Sequence, residues 1–273
     1  MNAASPLGLI AGKGKFPLIF AQETRRNGRE LVVIALKEEV DEDLAPYAKA
    51  VHTISVGKLD SIIQALKKEN VKEVAMAGRL EHIKIFSDII PDLRTAQLLL
   101  KLKDRRADSV LLAVAKELEG DGIRLLPSTM FLSHLLPKAG FLTRSKTTES
   151  EQKNVEFGIR MAQGLSALDL GQTVVVKKRA AVALEAMEGT DECIKRGAAL
   201  GGEGVIVVKS SKPDQDMRFD VPVVGMHTMN VMIACKARVL AVEAGKTLML
   251  EKDEMLEAAD AAGICVLAWE KPR

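Results

Sequence analysis

The chain opens by alternating short apolar runs, rich in β-branched residues, with longer amphipathic stretches, and this alternation restricts the fold more than any other sequence feature. Leu7-Gly-Leu-Ile-Ala-Gly12 predicts a buried strand, Phe16–Asn27 a helix, Glu30–Leu36 a second strand and Ala50–Val56 a third. Leu59–Glu69 places Ile62, Ile63 and Leu66 on one helical face, and Glu73–Ala77 is a fourth strand closed by Gly78. Strand–helix–strand order of this kind predicts a parallel sheet, because each crossover helix packs back onto a face of the sheet. Leu93–Leu118 is purely helical in pattern, and Ile123–Leu126 is a further short strand.

The polar stretch Thr143–Ser150 interrupts this pattern and is the expected linker, with one domain over 1–145 and another over 146–273. Thr148 followed by Glu151 has the spacing of a capping box and opens a helix to about Gly164. Beyond it, Thr173–Val176 and Ala180–Leu184 are strands joined by the tight turn Lys177-Lys178-Arg179. Further strands are expected at Val205–Val208, Val221–Val224, Val239–Val242 and Ile264–Ala268. Helices are expected at Asp191–Leu200, Thr228–Lys236 and Lys252–Ala262. The fold class is therefore α/β: a Rossmann-like parallel-sheet N-terminal domain and a second α/β domain.

Composition narrows the function. Lys+Arg exceeds Asp+Glu by 39 − 37 = +2, so there is no polybasic character to draw nucleic acid, and aromatics at 3% leave few platforms for stacking bases. Cys193, Cys235 and Cys265 are odd in number and far apart, which fits neither a disulfide framework nor a zinc site. No signal-peptide pattern opens the chain and no apolar run reaches membrane-spanning length, so the expected compartment is the cytoplasm. His52, His82, His134 and His227 have no zinc-hydrolase spacing, and no nucleophile elbow is present. His227 is the one histidine beside an acidic loop; Met226, Met229 and Met232, spaced by three, are expected to fill a core.

Two sets of residues carry chemistry. Gly12-Lys-Gly14 lies between a strand and a helix, where backbone N–H groups and the helix dipole favour an anion; a plain tight turn explains it equally well. The third glycine of a dinucleotide fingerprint is missing, and the second strand ends at Leu36-Lys37 without an acidic residue, so a nicotinamide oxidoreductase is disfavoured. Gly78 and Arg79 fall at the carboxyl edge of the same sheet, where an arginine can pair with phosphate.

In the second half, polar groups recur where strands end or helices begin. Carboxylates Glu185, Asp191, Asp220 and Glu243 interleave with Lys209, Lys212 and Arg218, while Thr190 and Thr228 open helices. Thr190 or Asp191 is also accounted for as an N-cap. Gathered at one rim, such a set suits Mg²⁺ and a phosphorylated substrate, since the hard cation takes oxygen ligands and Lys/Arg hold phosphate oxygens. The candidate metal ligands are Glu185, Asp191 and Asp220. The candidate substrate contacts are Gly12, Gly14, Gly78, Arg79, Thr190, Lys209, Lys212, Arg218 and Thr228.

LGLIAGKGKFP at the start, with EAMEGTDECIKR, VVKSSKPDQDMRFDVPVVGMHT and AVEAGKTL later, resembles the LpxI-type UDP-2,3-diacylglucosamine pyrophosphatases across essentially the whole chain. The resemblance implies an Mg²⁺-dependent hydrolase of lipid A biosynthesis that cleaves UDP-2,3-diacylglucosamine to UMP and 2,3-diacylglucosamine 1-phosphate. It further implies a homodimer, ligand held between the domains, and peripheral contact with the inner-membrane surface. In that pattern Asp220 falls on the family's essential aspartate, whereas Arg105-Arg-Ala-Asp108 departs from the expected pair of acidic residues. The alternative is a non-catalytic nucleotide- or phosphate-sensing protein.

Overall fold

The computed structural model describes residues 5–80, 90–102 and 107–270; His82, Arg105 and Arg106 lie outside them. By packing, the chain forms two compact units: Met1–Leu132 with Asp216–Asp220, and Ser133–Gln215 with Val221–Arg273.

In the first unit the fully buried runs β1 (Leu7–Ala11) and β2 (Leu31–Leu36) are central, as their unbroken apolar character requires. β3 (Ala50–Ile54), with alternating exposure, is an edge, and β4 (Glu73–Ala77) and β5 (Arg124–Leu125) complete a five-stranded sheet in the order β3-β2-β1-β4-β5. Every pairing is parallel. The helices are α1 (Lys15–Arg26), α2 (Leu59–Lys68), α3 (Leu93–Lys101) and α4 (Ala107–Gly120). The continuous helix expected over Leu93–Leu118 is thus two helices, because Leu102 leaves helical geometry at φ −72°, ψ 134°. Ile62, Ile63 and Leu66 pack as their spacing predicts, in a core with Ile34, Val74 and Leu118.

The second unit contains β6 (Gly140–Phe141), α5 (Glu149–Ala167), β7 (Thr173–Lys177), β8 (Ala180–Leu184), α6 (Thr190–Gly201) and β9 (Ile206–Lys209). These are followed by β10 (Val223–Val224), α7 (Met226–Ala234), β11 (Val239–Glu243), β12 (Leu248–Met249), α8 (Lys252–Ala261) and β13 (Cys265–Trp269). Six strands form a mixed sheet in the order β6-β13-β11-β9-β7-β8, with β9, β11 and β13 parallel and β6, β7 antiparallel to their neighbours. One face is covered by Val155, Ala162 and Leu165 of α5; the other packs Ile194, Met229, Met232 and Met255 of α6, α7 and α8. Met229 and Met232 are core residues, as expected.

Local chemistry explains several boundaries. Thr148 accepts from the Glu151 N–H (3.2 Å) while Glu151 accepts from the Thr148 N–H (2.7 Å), which is the capping box that starts α5. The β7–β8 hairpin turns at Lys178 and Arg179, both at positive φ, as a two-residue hairpin loop requires. Neither is glycine or asparagine; the strained turn is held by Asn154 of α5, whose Oδ1 accepts from the Arg179 N–H at 2.6 Å.

The segment Thr143–Ser150 is not a free linker. Leu142 N–H donates to the Val266 carbonyl (2.9 Å), the Val266 N–H donates to Thr143 Oγ1 (2.9 Å), and Arg144 N–H donates to Asp260 (2.8 Å). The packing division falls at Leu132–Ser133, and the polar composition of 143–150 reflects side chains spent on strand-edge and capping bonds.

Candidate functional site

Within the first unit, Gly12 and Gly78 meet backbone to backbone. A Cβ on Gly12 would lie 2.7 Å from the Arg79 carbonyl oxygen, and one on Gly78 would lie 2.7 Å from the Gly12 carbonyl carbon. Lys13 and Arg79 exchange N–H···O bonds of 2.9 and 3.0 Å across the same crossing. Close chain approach therefore accounts for both glycines. Gly14 is different: it precedes α1 at φ 91°, ψ 179°, a region open only to glycine, with nothing near its missing side chain and no side-chain cap on the helix. Its N–H donates to Asp41 Oδ1 at 2.8 Å. A carboxylate thus does reach the glycine turn, from five residues beyond β2. The position expected from a dinucleotide fingerprint is Leu36-Lys37, whereas the acidic run Glu38–Asp43 is the signal in the sequence for this carboxylate.

Arg218 and Asp220 belong to this unit too. Ser128, 1% exposed, places its hydroxyl between the Met76 carbonyl near the end of β4 (2.5 Å) and the Arg218 carbonyl (2.6 Å), which share its one proton, and its N–H donates to the Met217 carbonyl (3.0 Å). Phe219 packs against the first unit's core. Arg218, read as a phosphate cation, is held by Asp216 (Nη2–Oδ2 2.8 Å) and Glu119 (3.2 Å). The Arg218 guanidinium beside Asp216 holds its carboxyl below the usual range, against the effect of burial.

The second unit gathers Glu185, Thr190 and Lys209 at the edge where β8 and β9 end. Lys209 Nζ donates to Thr190 Oγ1 at 2.7 Å, and Thr190 Oγ1 donates to Glu185 Oε1 at 2.9 Å; Glu185 Oε2 accepts from the Gln172 N–H at 3.1 Å. Burial opposes ionisation of Glu185, but the Lys209 charge and the bonds from Thr173, Thr190 and Gln172 outweigh it and keep its pKa below the ordinary value. Thr190 opens α6 after Gly189 at φ 83°, ψ 170°, with no side-chain cap, so this helix starts as α1 does. Asp191 accepts from Thr228 Oγ1 (3.0 Å) and lies 3.2 Å from His227 Nε2. Lys212 is paired with Asp169 at 2.7 Å. Burial pushes the Cys193 thiol up to about 12, which leaves no nucleophile there.

The residues named from the sequence thus divide: Gly12, Gly14, Gly78, Arg79, Arg218 and Asp220 in the first unit, Glu185, Thr190, Asp191, Lys209, Lys212 and Thr228 in the second. Glu185 is engaged by Thr190 and Gln172, Asp191 by Thr228 and His227, and Asp220 belongs to the other unit. Among the described residues no three His, Cys, Asp or Glu side chains form a group that could hold a metal. The three nominated carboxylates therefore do not fit a shared metal site within either unit.

Two α/β units, each with polar groups at its strand ends and a helix that opens after a glycine without a side-chain cap, define a two-domain α/β protein. A family model described as the LpxI N-terminal domain matches residues 6–135, and one described as the LpxI C-terminal domain matches 138–267. The chain belongs to the LpxI family. It is 29% identical over 272 residues, 96% of each chain, to the UDP-2,3-diacylglucosamine pyrophosphatase LpxI of Caulobacter vibrioides. Among solved structures, phosphoribosylglycinamide synthetase from Anaerococcus prevotii aligns with 70% of this chain and 40% of its own, at 12% identity and TM-score 0.28. A biotin carboxylase from Campylobacter jejuni aligns with 71% of this chain and 41% of its own, at 11% identity and TM-score 0.28. This chain spans less than half the length of those proteins. Among the described residues no helix is long and apolar enough to cross a membrane.

Proposed function

We propose that this chain hydrolyses the diphosphate of UDP-2,3-diacylglucosamine to UMP and 2,3-diacylglucosamine 1-phosphate, a step of lipid A biosynthesis. The observation that carries the reading is that both LpxI family models match in order across residues 6–267. Geometry supports it in each unit. Lys209 and Thr190, with the first N–H groups of α6, offer a cation, a hydroxyl and backbone donors to phosphate oxygens. The open glycine turn at Gly14 offers a second set of backbone donors once Asp41 moves aside.

Asp220 is the proposed catalytic carboxylate. It orients the attacking water and takes its proton as the new P–O bond forms and the bridging P–O bond breaks. Attack at the β-phosphorus leaves the bridging oxygen with UMP and puts the water oxygen in the sugar phosphate. Mg²⁺ is the proposed cofactor, and its requirement is read by chelation and re-addition. The proposal also includes a homodimer and peripheral contact with the cytoplasmic face of the inner membrane, read by light scattering and by flotation with anionic vesicles.

The test is release of UMP from UDP-2,3-diacylglucosamine by wild type and Asp220→Ala, in ¹⁸O-water, with melting temperature and substrate affinity alongside. The variant is expected to stay folded and bind substrate while kcat falls by orders of magnitude, since the lost interaction belongs to the transition state. Near-normal kcat in a folded Asp220→Ala protein would sink the assignment. Binding without turnover in wild type would favour the sensing protein.

A further inference from the structure

On the α5 face of the second unit's sheet, polar groups line up at the edge where the parallel strands end. Glu243 closes β11 and is the register partner of Trp269, which closes β13. Parallel partners project to the same face, and Trp269 packs there with Val155 and Leu165 of α5. Ser211, just beyond β9, donates to Glu243 Oε2 from its N–H (2.9 Å) and its hydroxyl (2.7 Å). Thr247 sits in the turn after β11, its N–H donating to the Glu243 carbonyl at 3.1 Å, and Gln172 accepts from the Ser210 N–H at 2.9 Å.

This row is nearly sealed from water: Glu243 is 5% exposed, Trp269 6% and Thr247 0%. Yet Gln172 Oε1, Thr247 Oγ1 and Trp269 Nε1 are buried with no hydrogen-bond partner among the described residues. Interiors pair nearly all such groups, so three at one sheet edge point to a partner outside the chain. Their inventory defines it: an indole N–H that only donates, an amide oxygen that accepts, and a hydroxyl that does both. The row's own side chains bring one carboxylate, and Lys212 beside Ser211 is paired with Asp169 at 2.7 Å, which is wrong for phosphate and right for a neutral group that both gives and takes hydrogen bonds.

We propose that this buried row recognises the hydroxyl-bearing sugar of the substrate, the phosphate being met on the opposite face by Lys209 and Thr190; the choice of sugar rests on the proposed diphosphate hydrolysis. Trp269 donates to a sugar oxygen, Gln172 accepts from a sugar hydroxyl, and Thr247 completes the set. The row is a specificity device that separates a sugar phosphate from phosphate alone.

Trp269 is the only tryptophan of the chain, so the full-length protein carries its own reporter. Emission is titrated with 2,3-diacylglucosamine 1-phosphate, glucosamine 1-phosphate, UMP and inorganic phosphate, and turnover of UDP-2,3-diacylglucosamine is measured on the same preparation. A saturable change with the sugar phosphates and none with UMP or phosphate is expected. Thr247→Val and Trp269→Phe replace an unpaired polar atom with an apolar one, so melting temperature should hold or rise while KM increases about tenfold. An unchanged emission with the diacyl sugar phosphate, or unchanged KM in both variants, means that the row holds internal water only and overturns the inference. Turnover with those negatives leaves the hydrolysis standing; absence of turnover overturns the hydrolysis, and the emission arms still decide whether sugar binds.

Discussion

Glu185 and Lys209 are two charges kept almost out of water, 9% and 6% exposed, and joined through the Thr190 hydroxyl. Such an arrangement is tolerable only while both charges are present, because desolvation penalises each one alone. Glu185 ionises below its ordinary 4.5 in the folded state, so its contribution is complete above that value and is lost as pH falls through the lowered one. Lys209→Met should cost about 3–5 kcal/mol at neutral pH. Its deficit should shrink on acidification, as the stranded carboxyl takes a proton; thermal melts between neutral and acid pH check both signs. A deficit independent of pH would mean that Lys209 acts by packing. The glycines separate in a similar way. Gly12→Ala would drive a methyl into the Arg79 carbonyl, so melting temperature and ligand affinity should fall together. Gly14→Ala has room but the wrong φ, costing about 1–3 kcal/mol. Its larger effect should be weaker UMP binding, read by titration calorimetry beside the melts.

At the scale of elements, glycines on two helices let them settle onto opposite faces of one sheet. A Cβ on Gly158 of α5 would lie 2.5 Å from Val208 Cγ2, and one on Gly197 of α6 would lie 2.6 Å from Val175. Gly197→Val should therefore push α6 off the sheet and cost about 1–3 kcal/mol by overpacking. Because α6 carries Thr190 at its start, KM should also rise; a melting temperature within a degree of wild type would refute the close packing. Most elements here were readable from periodicity and caps: β1 to β4, the capping box of α5 and the β7–β8 hairpin all follow local rules. The misreadings were local too. Helix pattern alone ran α3 into α4, and the polar stretch 143–150 looked like a linker because hydrogen bonding to a distant strand leaves no mark on periodicity.

At the scale of the whole molecule, the chain completes its first unit late. Residues 216–220 return to it after the stretch Ser133–Gln215 of the second, and Ser128 ties them to the end of β4. Ser128→Ala removes the hydroxyl that bridges two part-buried carbonyls, at a cost of about 1–3 kcal/mol. It should also lower kcat more than KM, by loosening the segment that carries Asp220; equal loss of stability and no change in kcat would make Ser128 purely structural.

What the sequence determined by itself was set by short-range physics: where strands and helices lie, that the fold is α/β, and, through the motif blocks, the family. Recurrence of charge at strand ends also pointed to a shared rim, and of that set Glu185 and Lys209 meet at one edge through Thr190. Tertiary structure alone decided which charges serve each other. Lys212 is spent on Asp169, Arg218 on Asp216 and Glu119, and Asp191 on Thr228, whereas Asp41, never singled out, reaches Gly14. Spacing along the chain fixes the phase of a side chain within its own element, but partners across elements are chosen by register and crossing, which depend on how the whole core closes.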